Sequence, residues 1–211
     1  MKVEWVTVGP FQENSYLLTD EASGKAVLVD PGDEGDRIVR MVKRAGVELQ
    51  AVWLSHAHLD HIGAVSAVRR EWKVPVLLHA DDLVIYRRGA QAAAAYGLPF
   101  EQPANPDGTL AHGQLLELGN SSFEVHHTPG HAPGHVIFLS DRLMLGGDLL
   151  FAGSIGRVDL PLSNPAAMES SLAHIAAFDP DTVVYPGHGP ATTIGEELAT
   201  NPFLAGVRTS I

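Results

Sequence analysis

Short apolar runs alternate along this chain with segments of helical period. Residues 2–8 (KVEWVTV) alternate apolar and polar side chains as a strand does, and 14–20 (NSYLLTD) and 25–30 (KAVLVD) predict two more strands. The Pro, Gly and Asp of DPGDEG at 30–35 predict a turn. A helix is predicted over 36–45, with Ile38, Val39 and Val42 on one face and Gly46 just past its end. AVWLS at 51–55 reads as a short buried strand. In 62–73 (IGAVSAVRREWK), Ile62, Val65, Val68 and Trp72 recur at helical spacing. VPVLLH at 74–79 predicts a strand and ADDLVIYRR the start of a helix. FEVHHT, HVIFLS and RLMLGG follow as consecutive strands. Asn164 and Pro165 mark the cap and first turn of a helix ending near Phe178. TVVYP at 182–186 is the last clear strand, with a weak helix around Gly195–Thr200.

Between these elements, residues 97–113 contain three prolines and no periodicity, which predicts a long loop and a candidate substrate wall. No linker or low-complexity tract interrupts the pattern. Each half runs strands, helix, strand, so one domain over 1–211 with a loose internal duplication is expected. Few clean βαβ units favour mixed sheets with helices outside them.

Composition narrows the partners. With 211 residues and 45% hydrophobic content, the chain has enough apolar surface for a sizeable core. A formal net charge of −11 disfavours attraction to phosphate backbones, so no nucleic-acid partner is expected. The sequence has no cysteine, which removes disulfides, thiolate ligands and thiol nucleophiles together. The N-terminus has no signal-peptide core and no run is long enough to span a membrane, so a cytoplasmic location is expected.

The chemistry is carried by histidine. The stretch LSHAHLDHIG at 54–63 follows an apolar run and places His56, His58, Asp60 and His61 within six residues. Elsewhere FEVHHTPG leads to His131, LMLGG to Asp148 and VVYPG to His188. Strand ends on one sheet edge converge in space, and sites are built there. Gly130, Gly147 and Gly187 each sit beside a candidate ligand and let the backbone turn tightly. Seven ligands exceed one ion, since a catalytic zinc takes three protein ligands and a water. Two divalent ions fit the count: His56, His58 and His131 for the first, Asp60, His61 and His188 for the second, and Asp148 as the bridge. Zinc is the first expectation, with iron or manganese as alternatives, because spacing says metal without saying which. Of the other histidines, His79, His112, His126 and His174 are assigned to core or surface. His127, His135 and Asp30 are candidates for orienting a ligand through its far nitrogen.

HAHLDH, TPGHAPGH, GGDLLF and YPGHG together resemble the metallo-β-lactamase superfamily of metallohydrolases. GPFQENSYLL, VDPGD, FAGSIGRVDLP and PGHGPATTIGEE resemble its glyoxalase II-like (hydroxyacylglutathione hydrolase-like) branch, in the short bacterial form. The resemblance implies an α+β fold, an αββα sandwich of two mixed β-sheets with helices on the outer faces. It implies the same seven metal ligands and a thioester substrate such as S-lactoylglutathione. A metal-bound hydroxide, positioned by Asp60 and Asp148, would attack the carbonyl. One ion would polarise the carbonyl oxygen and the other would steady the departing thiolate. Full-length glyoxalase II also carries a C-terminal helical domain whose basic residues meet the glutathione carboxylates. Here no such domain is expected: a short segment follows His188, and Arg208 is its sole cation. Arg157, in SIGRVDLP, is a candidate substrate contact. The resemblance also admits an alternative, a persulfide dioxygenase with a single iron on His56, His131 and Asp148. The lack of a cysteine ligand weighs against a β-lactamase, and the charge of −11 against a tRNA-processing nuclease.

Overall fold

The structure, a computed structural model, describes residues 1–204, so Arg208 lies outside the described residues. In chain order the elements are β1 (Lys2–Val8), β2 (Glu13–Asp20), β3 (Lys25–Val29), α1 (Gly35–Ala45), β4 (Glu48–Trp53), α2 (Leu59–Ile62), α3 (Val65–Glu71) and β5 (Val76–His79). Then come α4 (Leu83–Tyr86), α5 (Gly89–Ala95), β6 (Gly108–Leu110), β7 (Leu115–Leu118), β8 (Ser121–His127), β9 (Val136–Ser140) and β10 (Leu143–Gly147). The last are β11 (Leu150–Phe151), β12 (Ser154–Ile155), α6 (Pro165–Ile175), β13 (Val183–Pro186), β14 (Thr192–Thr193) and α7 (Ile194–Thr200).

The described residues form two six-stranded sheets and a small β11–β12 hairpin. The first sheet runs β1 to β6 in order, antiparallel through β3 and parallel from β3 to β6. The second runs β14-β13-β10-β9-β8-β7, with only the β10–β13 pair parallel.

Alternation along the strands explains the layering. Leu17, Leu28 and Val52 point to one face of the first sheet and pack with Ile38, Val42 and Val65 of the helices. Their neighbours Leu18, Val27 and Trp53 point to the other face and meet Phe123, Val125 and Phe138 of the second sheet. Trp53 sits 5.4 Å from Phe123 and 5.2 Å from Phe138, ring centre to ring centre. On the far side of the second sheet, Ile137, Met144 and Val184 pack under Met168, Leu172 and Ile194. The result is the expected αββα sandwich. Central strands are buried on both faces, which is why β2 and β3 read as continuous runs rather than clean alternation.

Several elements differ from the expectations in instructive ways. The helix expected over 62–73 is shorter, α3 over Val65–Glu71, and Ile62 instead ends the separate helix α2. The amide of Ala64 donates to Pro31 O at 2.9 Å, outside the helical ladder, and this breaks the pattern between α2 and α3. The expected 97–113 loop contains a strand, because Gly108–Leu110 pair with β5 to make the first sheet's edge. β7 escapes a reading by apolar runs, since only Leu116 and Leu118 of its four residues are buried. α5 is alanine-rich and has no strong stripe. Among the described residues, no helix is long and apolar enough to cross a membrane.

Candidate metal centre

The loops after β4, β8, β10 and β13 meet at one edge of the sandwich and bring the seven expected side chains together. His56, His58 and His131 form one group whose ligand atoms lie within 4.8 Å of one another, and Asp60, His61 and His188 form another. Asp148 stands between them. Its Oδ1 lies 3.4 Å from His61 Nε2, and its Oδ2 lies 3.4 Å from both His131 Nε2 and His188 Nε2. His188 Nε2 is also 3.5 Å from Asp60 Oδ2, and His58 Nδ1 is 2.8 Å from His131 Nε2. Gly187 is required here, because a Cβ on it would fall 2.2 Å from Asp148 Oδ1.

The far nitrogens of three of these imidazoles are fixed. His56 Nδ1 meets Ser55 Oγ at 3.0 Å, His61 Nδ1 meets Asp30 Oδ2 at 3.1 Å, and His131 Nδ1 donates to Arg157 O at 2.8 Å. Such bonds set the tautomer and aim the other nitrogen inward. Asp30 also accepts the Ser55 N–H at 2.7 Å and the Ser55 hydroxyl at 2.6 Å. It does so from the left-handed region, at φ +49°, a conformation uncommon outside glycine. The first expectation for Asp30, a turn residue, is thus joined by the second: it orients His61.

Electrostatics divides the group. Burial keeps His56, His58 and His131 neutral, with His58 pushed down to about 3. Burial also opposes charge on His61 and His188. Asp148 overrides it in both, with help from Asp30 at His61 and from Asp60 at His188, so His61 stays well above its ordinary value and His188 rises to about 9. For Asp148 burial works upward, yet the charge of His61 and the facing imidazoles of His188 and His131 hold it well below the usual range. Asp60 follows the same pattern: burial is outweighed by the His188 bond, and its carboxyl is lowered.

Of the histidines set aside, His126 and His174 bond each other at 3.0 Å, away from the cluster. His135 reaches it indirectly: its Nε2 accepts the Asp148 N–H at 3.0 Å while Nδ1 meets Thr128 Oγ1 at 2.9 Å. His127 does not reach it. That ring stacks on His79 at 4.2 Å and bonds Pro133 O at 2.8 Å. The side chain of Arg157 forks onto Asp159 at 2.8 and 2.9 Å and is exposed, so what it gives the cluster is its carbonyl.

Sequence reasoning passes over four supports. Ser55 is hidden as the polar end of an apolar strand. Glu13 is fully buried with Oε1 4.0 Å from His61 Nδ1. Asn14 donates through Nδ2 to Pro186 O at 3.2 Å and to Gly189 O at 2.9 Å, and its own amide bonds Gly187 O at 2.8 Å, locking β2 to the His188 loop. The fourth, Asp82, is buried beneath two of the ligand loops. Beside Asp60 a cavity of about 180 Å³ opens, walled in part by Leu98–Glu101, so the loop expected to form a substrate wall does border the site.

The metallo-beta-lactamase superfamily profile matches residues 8–188. The hydroxyacylglutathione hydrolase GloC of Haemophilus influenzae is 33% identical over 209 residues, covering 97% of this chain and 98% of that protein. Among solved structures, the BLEG-1 B3 metallo-beta-lactamase superposes with a TM-score of 0.91 at 36% identity, covering 97% of this chain and 100% of that one. TTHA1623, solved in a di-iron-bound form, superposes at 0.89 with 44% identity, covering 96% and 100%.

Proposed function

As the chain belongs to the metallo-β-lactamase superfamily and is thereby a metallohydrolase, we propose that it hydrolyses small-molecule thioesters, with S-lactoylglutathione as the reference substrate, at a site for two divalent ions. One observation carries this reading: two separate ligand groups flank a single carboxylate, Asp148, whose two oxygens face both. The donor set fits cations. His56 Nε2, His61 Nε2 and Asp148 Oδ1 are buried without a hydrogen-bond partner, which is costly unless something else satisfies them. Imidazole and carboxylate donors suit zinc, iron or manganese.

Bound ions would supply Lewis-acid polarisation of the thioester carbonyl and a water acidified to about pKa 7. The chain's own residues do the rest. Ser55, Asp30 and the Arg157 carbonyl hold three imidazoles in one tautomer each. Asp60 and Asp148, kept ionised, accept hydrogen bonds from the attacking water and balance cationic charge. The cavity beside Asp60 receives the substrate's non-reacting arm. No side-chain nucleophile is called for, in keeping with a chain that has no cysteine.

A mononuclear iron dioxygenase would use His56, His131 and Asp148 and give Asp60, His61 and His188 no task. The second complete group therefore favours the hydrolase. The test is to assay purified protein against S-lactoylglutathione, an acyl-thioester panel and a β-lactam, with metal content measured on the same sample. Thioester turnover with two ions per chain is expected. Oxygen uptake on glutathione persulfide with one iron per chain, or turnover of the β-lactam alone, would overturn the proposal.

A further inference from the structure

The cavity beside Asp60 has an unusual lining for a site that is to hold glutathione, a tripeptide with two carboxylates. Its walls are aromatic and aliphatic, including Phe11, Leu98 and Phe100, and its charged side chains are Asp33, Asp60 and Glu101. No lysine or arginine is among the described lining residues. The nearby cations are already committed. Arg70 donates through Nη1 to both oxygens of Glu101, at 2.7 and 2.8 Å, and Arg157 forks onto Asp159. Asp33 has no ion-pair partner among the described residues. Its carboxylate lies against Gly9 and accepts only the neighbouring Glu34 N–H. Tyr96 meets Phe11 edge to face at 5.3 Å, extending the aromatic wall.

From this lining we infer that the substrate arm entering the cavity is apolar and positively charged, an alkylammonium-type leaving thiol rather than a carboxylate-bearing one. Aromatic faces and an unpaired carboxylate are the combination that recognises an alkylated ammonium, through cation–π contact and ion pairing. A carboxylate placed there would lose hydration, meet Asp33 and find no cationic side chain among the described lining residues to replace water. Asp33 is exposed, so the discrimination is modest and weakens with salt. The inference rests on the thioester reading only for its choice of substrates.

The test uses the metal-loaded protein and one acyl group on three leaving thiols: thiocholine, its neutral isostere 3,3-dimethylbutanethiol, and 3-mercaptopropionate. KM is expected to rise in that order, by roughly fivefold from first to last, and kcat is read separately because the ammonium also makes thiocholine the better leaving group. Asp33→Asn should compress the ratio and Asp33→Lys should reverse it. About 0.5 M salt should compress it too. Equal KM values for the cationic and anionic esters, or an unchanged ratio in Asp33→Asn, would overturn the inference. So would a rise in the anionic ester's KM in Arg208→Ala, which would show that the C-terminal segment supplies a counter-charge. If no thioester is turned over, the thioester reading fails, and equilibrium binding of choline against 3,3-dimethylbutanol still decides the cavity's preference. Tighter choline binding that weakens in Asp33→Asn supports the inference, and equal binding ends it.

Discussion

Asp82 accepts the amide N–H of Ala57 at 2.8 Å from beneath, although the two are twenty-five residues apart. Its other oxygen accepts the Gly134 N–H. Ala57 sits between His56 and His58, and Gly134 closes the loop that begins at His131, so one buried carboxylate ties two ligand segments together. Asp82→Ala leaves two buried N–H groups unpaired and is expected to cost about 2–4 kcal/mol of stability, with roughly tenfold weaker metal retention. Urea unfolding and competitive chelation measure the two. Unchanged metal retention would show that the tie does not position ligands.

The same group predicts a pH dependence. Burial pushes the Asp82 carboxyl from its ordinary 3.8 up to about 6. The folded state therefore holds this proton over a range where the unfolded state has lost it. Its stabilising contribution is complete below about pH 4 and is lost as pH rises through about 6. Stability of the wild type minus that of Asp82→Asn should fall by on the order of 2 kcal/mol across this window and be flat above it. A difference curve that is flat from pH 4 to 7 would refute this.

Asp148→Ala removes the carboxylate that faces both ligand groups. Metal content per chain should fall, and thioester turnover should drop by at least about a hundredfold. Elemental analysis beside the rate assay checks both. A variant that keeps its activity would count against a shared ligand.

Trp53 is the plug between the sheets, 1% exposed and set against Phe123 and Phe138. Trp53→Ala should cost about 3–5 kcal/mol, read as a lower urea midpoint. His174→Ala, by contrast, touches an exposed residue whose side chain bonds His126, away from the ligand cluster. Its turnover should stay within about twofold of wild type. A collapse there would mean that the outlying histidines matter to the site.

Much of this protein is legible along the chain. Every strand that carries a candidate ligand shows as an apolar run, because a strand covered on both faces must be apolar at nearly every position. The ligands show because His and Asp interrupt those runs at their ends, next to glycines. β7 and the split between α2 and α3 do not show. One depends on a partner strand covering alternate residues, and the other on a carbonyl at Pro31 that is distant in sequence from the amide it captures.

Sequence alone determined which side chains would be offered to a cation and which faces of the strands would be covered, since residue chemistry and period are local properties. Only the tertiary structure decided which other groups support the offered set. It gave Asp30 to His61 and Asp82 to two loops, kept His127 out, and turned the Arg157 side chain away onto Asp159. Those assignments rest on distances between segments brought together by packing the two sheets, and no spacing along a chain encodes such distances.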